Sequence, residues 1–88
     1  IGEAQGTVEV YIYDGGNSPV ANEVVTLTSY SSSDATFSDT TDSSGSVSFS
    51  APLSEINVSS SSGNFWGTLN QADVPKVIEF QRVIFHIV

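Results

Sequence analysis

The sequence predicts an all-β fold, a seven-stranded antiparallel Greek-key β-sandwich with essentially no helix. Three observations predict it. Val8, Val10 and Ile12 alternate with Glu9, Tyr11 and Tyr13, the period of two that marks a strand buried on one face. The alternation returns at Val25 and Leu27, with Thr26 and Thr28 on the other face, and again at Val47 and Phe49. Short turn sequences separate these runs at regular spacing, and no segment carries a helical apolar period.

Each element follows from its residues. Residues 1–6, with Gly2 and Gly6, read as a loose lead. The first strand covers 7–13. Asp14, Gly15, Gly16, Asn17, Ser18 and Pro19 then make a turn, in which the glycines permit positive φ and Pro19 presets its own. A second strand covers about 23–29, and a serine loop leads to a short strand at 35–40 centred on Phe37. Thr41, Asp42, Ser43, Ser44 and Gly45 form a tight turn: Asp42 accepts backbone N–H bonds and Gly45 takes the left-handed position. The fourth strand, 46–50, stops at Pro52. The fifth points Ile56 and Val58 inward, a loop follows at 59–64, and the sixth strand covers 65–69. After a polar connection, 76–88 is the last and longest strand.

Composition narrows the function classes. Eighty-eight residues make one domain, 1–88, with a single core. Ten acidic residues face two cations, Lys76 and Arg82, for a formal charge of −8. Nucleic-acid binding is excluded on that balance, because phosphate contacts need clustered Lys and Arg. Charged residues are only 14% of the chain, so the polar surface is mainly Ser and Thr, as on secreted and cell-surface proteins. There is no cysteine, hence no disulfide and no thiolate chemistry. No apolar run approaches the roughly 20 residues of a membrane-spanning helix, so no membrane insertion is expected. A chain that begins at Ile1 reads as a processed product or a fragment, its signal peptide already removed.

The run from Val8 to Phe49 resembles two groups of small sandwiches. One is the bacterial Ig-like modules of invasins and intimins. The other is the transthyretin-like domains called carboxypeptidase-regulatory-like and Cna-B. Their patterns are Asp-x-x-Gly closing a strand, Pro-Val opening the next, and Thr-Asp-x-x-Gly before an alternating strand. Here Asp14 to Gly16 resembles the first, with one residue fewer between aspartate and glycine, and Pro19-Val20 and Thr41 to Gly45 resemble the other two. The match covers about half the chain and consists of turn chemistry, so it speaks to fold. The resemblance implies a non-enzymatic spacer, stalk or adhesion module at a cell surface. Many Cna-B domains carry a first-strand lysine that crosslinks to a late asparagine. The first strand here has no lysine, which leaves Lys76 with Asn70 or Asn64 as a remote substitute.

The last strand points to assembly. Ile78 and Phe80 share one face while Glu79 and Gln81 share the other, but from Val83 the pattern changes. Val83, Phe85 and Ile87 lie on one face, and Ile84 and Val88 lie on the opposite face beside His86. A strand apolar on both sides needs cover on both sides. Residues 76–88 would extend about 43 Å, against roughly 17–20 Å for a typical strand. Two arrangements fit. Either Val83, Ile84, Phe85, Ile87 and Val88 add to a neighbouring subunit, or the strand bends at Gln81-Arg82 and packs within one domain. The lead 1–6 is the rival donor. Repeated head to tail, strand donation makes an open homopolymer.

Other candidate sites have weaker signatures. Asn57-Val58-Ser59 fits the N-glycosylation pattern, on a strand whose alternation turns Asn57 toward solvent. Asp14, Asp39 and Asp42, with Asp34, do not follow the spacing of a calcium loop and read more simply as turn residues. His86 has no second histidine or cysteine with which to hold zinc, and no metal or other cofactor is expected. Phe65 and Trp66 point to opposite faces, one to the core and the other to a sugar-stacking platform, an interface or a sheltered surface site. Tyr11 and Tyr13 form an outward aromatic stripe that suits either a contact surface or cross-strand pairing. No Gly-x-Ser-x-Gly elbow exists, and so small a sandwich has no cleft for paired carboxylates. The expectation is a non-enzymatic extracellular subunit of a pilus-like filament, polymerising by strand addition. The alternatives are a viral capsid or tail decoration module, and an adhesin or stalk domain binding glycan or protein.

Overall fold

The computed structural model describes residues 5–31, 35–71 and 75–82. Seven strands follow in order: β1 (Gln5–Asp14), β2 (Val24–Ser29), β3 (Ala35–Thr40), β4 (Ser46–Pro52), β5 (Glu55–Ser60), β6 (Gly63–Thr68) and β7 (Lys76–Arg82). They form two sheets, ordered β4-β1-β7 and β3-β2-β5-β6, with no α-helix among the described residues.

Alternation along each strand decides what faces the interior. Val8, Val10 and Ile12 of β1 are fully buried against Val25 and Leu27 of β2 and Ile56 and Val58 of β5. Val47, Phe49 and Ala51 of β4, Ile78 and Phe80 of β7, and Leu69 complete the core. Burying each large aliphatic or aromatic side chain stabilises the fold by about 1.5–3 kcal/mol. The two sheets are held together chiefly by these contacts.

Four of the five ladders are antiparallel, as expected, and one is not. β1 pairs with β7 in parallel, Val8 opposite Lys76 through Asp14 opposite Arg82. The reason is directional. Each connection reverses the chain, so odd-numbered strands run one way and even-numbered strands the other. Once β7 lies beside β1, the pair can only be parallel.

The two Asp-led turns sit side by side at one end of the sandwich. Asp14 Oδ1 accepts the amides of Gly16 and Ser18 at 2.8 and 3.0 Å. Asp42 Oδ1 accepts those of Ser44 and Ser46 at 2.9 and 3.1 Å. In the first turn the positive φ falls on Asn17, at 63°, and not on Gly15 or Gly16 as their sequence suggested. In the second, Gly45 takes the left-handed position as expected, with φ 71°. A Cβ on Gly45 would lie 2.6 Å from the Ile12 carbonyl oxygen and 3.0 Å from Val20 N. Gly45 therefore lets the second turn close onto the first, where Ile12 N donates to Gly45 O and Val20 N donates to Ile12 O.

On the inner side of β6, small residues make room for rings. A Cβ on Gly63 would meet the Phe80 ring at 2.7 Å, and one on Gly67 would meet the Phe65 ring at 2.6 Å. Phe65 is half-buried against the core, and Lys76 Nζ stands 5.4 Å above its centroid in a cation–π contact.

Candidate functional site

Among the described residues the features that could meet a partner are the faces and edges of the sandwich. Among the described residues each sheet ends in two edge strands: β4 and β7 on the three-stranded sheet, β3 and β6 on the other. An open edge presents backbone N–H and C=O groups to any incoming strand unless charge or proline blocks it. β3 carries Asp39, and β7 carries Lys76, Glu79 and Arg82. The sequences of β4, SVSFSAP, and β6, GNFWGT, contain no charge. Pro52, at the end of β4, has no N–H to give. These two edges are the receptive ones.

The segment expected to donate a strand (Val83, Ile84, Phe85, Ile87 and Val88) lies outside the described residues, as does His86. β7 is described as far as Arg82.

The three surface aromatics singled out by the sequence do not form one site. Tyr11 and Tyr13 lie on the outer face of the three-stranded sheet, both half-buried. Tyr11 sits between Ser46 and Glu79, and Tyr13 sits opposite Gln81. Gln81 Nε2 donates to Asn17 Oδ1 at 2.9 Å, tying the end of β7 to the first turn. Trp66 lies on the outer face of the other sheet, across from Asn57, and is 63% exposed. Its neighbour in sequence, Phe65, takes the inner side, so one of the pair is packed on the core and the other is not. Tyr30, 44% exposed, stacks on Trp66 with centroids 5.5 Å apart and planes inclined by 19°. The sequence signal for that partner was the outward phase of Thr26 and Thr28, which Tyr30 continues.

Asn57 is half-buried, and its amide is already engaged. Nδ2 donates to Asn64 Oδ1 at 3.0 Å and to the Phe65 carbonyl at 3.1 Å. A sugar on Nδ2 leaves it one hydrogen, so only one of these bonds can survive glycosylation.

The aspartates act within turns. Asp14 and Asp42 serve backbone amides as described, Asp39 Oδ1 accepts the amide of Thr40 at 2.8 Å, and Asp34 lies outside the described residues. Among the described residues no three His, Cys, Asp or Glu side chains group so as to hold a metal ion. Lys76 lies on Phe65, and Asn64 is occupied with Asn57.

Two residues to which the sequence reading gave no packing role, Glu23 and Thr41, are buried together. Glu23 continues the inward phase of Val25. The Thr41 hydroxyl accepts Glu23 N at 3.0 Å and donates to the Val20 carbonyl at 2.6 Å. The Thr-Asp-x-x-Gly pattern thus divides its labour. Thr41 clamps the start of β2, Asp42 builds the turn, and Gly45 admits the close approach.

No protein-family model matches the chain, and no curated protein matches it. Its fold is similar to that of a solved structure, a mutant form of the shaft pilin spaA from Lactobacillus rhamnosus GG. The TM-score is 0.74 at 15% sequence identity, over 91% of this chain and 48% of the pilin chain. This chain therefore spans about half the length of that structure, and the likeness is one of fold.

Proposed function

We propose that this chain is a non-enzymatic structural module of an extracellular, pilus-like filament. Residues 83–88 of one copy add as a strand to an open sheet edge of the next. The observation that carries this reading is the fold it shares with a shaft pilin over 91% of its length. Two features of the chain support it. The segment 83–88 is apolar on both faces, and the β4 and β6 edges carry no charge to repel a strand. Strand addition needs little else, since backbone hydrogen bonds supply affinity and alternate side chains supply register.

Electron microscopy of the purified chain, intact and lacking 83–88, tests it. The intact chain forms filaments, and the truncated chain is monomeric with an unchanged β-sheet circular dichroism signal. Truncation that unfolds the monomer would instead make the segment ordinary core and end the donation reading. A second reading is a stalk or adhesin module within a longer chain, favoured by the alignment to about half of the pilin. The mass of the native polypeptide separates the two.

A further inference from the structure

We propose that the outer face of the β3-β2-β5-β6 sheet is a binding platform for a neutral oligosaccharide, with Trp66 and Tyr30 as its stacking surface. This inference is independent of the filament reading.

The rings do not serve the core. Phe65, Ile56 and Val58 fill the inner side of β5 and β6, while Trp66 and Tyr30 stand on the solvent side. Tyr30 directly follows β2 and Trp66 lies on β6, with β5 between them, and neighbouring strands lie about 4.8 Å apart. Rings only 5.5 Å apart therefore lean toward each other over β5. Each holds the other in place, so little side-chain freedom is left to lose when a ligand stacks on them.

The surroundings select the ligand. Among the described residues, Glu55 is the one charged side chain at an outward position of these four strands. From Trp66 a single cross-strand row runs through Asn57, Thr28 and Thr36, all amide or hydroxyl. A depression of about 270 Å³ opens beside Trp66, lined also by Glu55, Gly67 and Thr68. A protein-docking core surrounds its aromatic anchor with apolar side chains, and this face does not. Nucleic acid also stacks on aromatic rings, but it requires cations, and among the described residues of these four strands none projects from this face. A pyranose matches the site: an apolar C–H face for the indole, and hydroxyls for Thr68 and the Glu55 carboxylate. That carboxylate disfavours sulfated or uronic sugars by like-charge repulsion.

Trp66 is the sole tryptophan, so its fluorescence reports on this site directly. The probes are neutral β-linked glucose and N-acetylglucosamine oligosaccharides, with a sulfated oligosaccharide as comparison. Expected is a saturable change with a neutral probe, none with the sulfated one, and saturation-transfer NMR signals passing from Trp66 and Tyr30 to the sugar. Tyr30→Ala weakens binding several-fold. Trp66→Ala abolishes it by NMR while the melting temperature stays near that of the parent. Should Trp66→Ala fail to fold, Trp66→Phe and the NMR transfer in the unmutated protein still decide. Absence of binding by both neutral probes overturns the proposal, and so does equal binding of the sulfated one. Ring signals that respond to protein concentration and not to sugar overturn it too, in favour of a contact between copies.

Discussion

Thr41 and Glu23 exchange two hydrogen bonds. The Thr41 hydroxyl accepts the Glu23 amide at 3.0 Å, and the Thr41 amide donates to the Glu23 carbonyl at 2.9 Å. The same hydroxyl gives its hydrogen to Val20 O. One small side chain therefore satisfies two backbone groups of the segment leading into β2, the buried Glu23 amide and the part-buried Val20 carbonyl. The second Asp-led turn is anchored to the first through this point as well as through Gly45.

Thr41→Val keeps the shape and removes the hydroxyl, stranding the Glu23 amide and the Val20 carbonyl. The expected loss is about 1–3 kcal/mol, carried mainly by the Glu23 amide in its buried bond, since a buried group that loses its partner carries its desolvation cost. Urea unfolding checks it: the midpoint falls while the slope holds. Thr41→Ser, which retains the hydroxyl, loses much less.

Gly45→Ala places a methyl group 2.6 Å from the Ile12 carbonyl oxygen at a φ of 71°. Steric overlap and left-handed strain act together, and a destabilisation of at least about 1–3 kcal/mol is expected. Gly15→Ala is the contrast. Its Cβ would meet nothing within 4 Å, and the residue is not at positive φ. Thermal melts should show Gly15→Ala between neutral and a gain of about 0.4–1 kcal/mol, through a less free unfolded chain. Equal losses at both glycines would contradict this account of the paired turns.

Asn57→Asp replaces a donor of two hydrogen bonds with an acceptor facing two other oxygens, Asn64 Oδ1 and Phe65 O. A loss of about 1–3 kcal/mol is expected, with hydrogen exchange quickening first where β5 meets β6. If native protein carries a glycan at Asn57, mass spectrometry will find it there. Protein produced without glycosylation, with Asn57 intact, should then melt higher than the glycosylated form, because both Nδ2 hydrogens are available for Asn64 and Phe65.

Much of the fold is legible in the chain because side-chain alternation is a local property. Val8, Val10 and Ile12 face inward for the same reason in an isolated reading as in the folded domain, since successive Cβ atoms point to opposite sides of any strand. Turn chemistry is local too, and Asp42 and Gly45 act as their spacing implies. Gly15 and Gly16 misled because permission for positive φ is no obligation. Asn17, whose side chain also tolerates that region, took the position once Asp14 had gathered the amides of Gly16 and Ser18.

What the sequence determined by itself is the presence of seven strands, the alternation that turns Val8, Val10, Ile12, Val25, Leu27, Ile56 and Val58 inward, and an acidic, hydroxyl-rich composition. Gln5 and Gly6, read as part of a loose lead, belong to β1, and the last strand is described only to Arg82. Tertiary structure alone decided that β7 runs parallel to β1, that Thr41 clamps Glu23, and that Trp66 meets Tyr30 on the face opposite Tyr11 and Tyr13. Periodicity tells which way a side chain points from its own strand. It carries no information about which strand lies alongside, and every one of those contacts joins residues that only the pairing and stacking of sheets bring within reach.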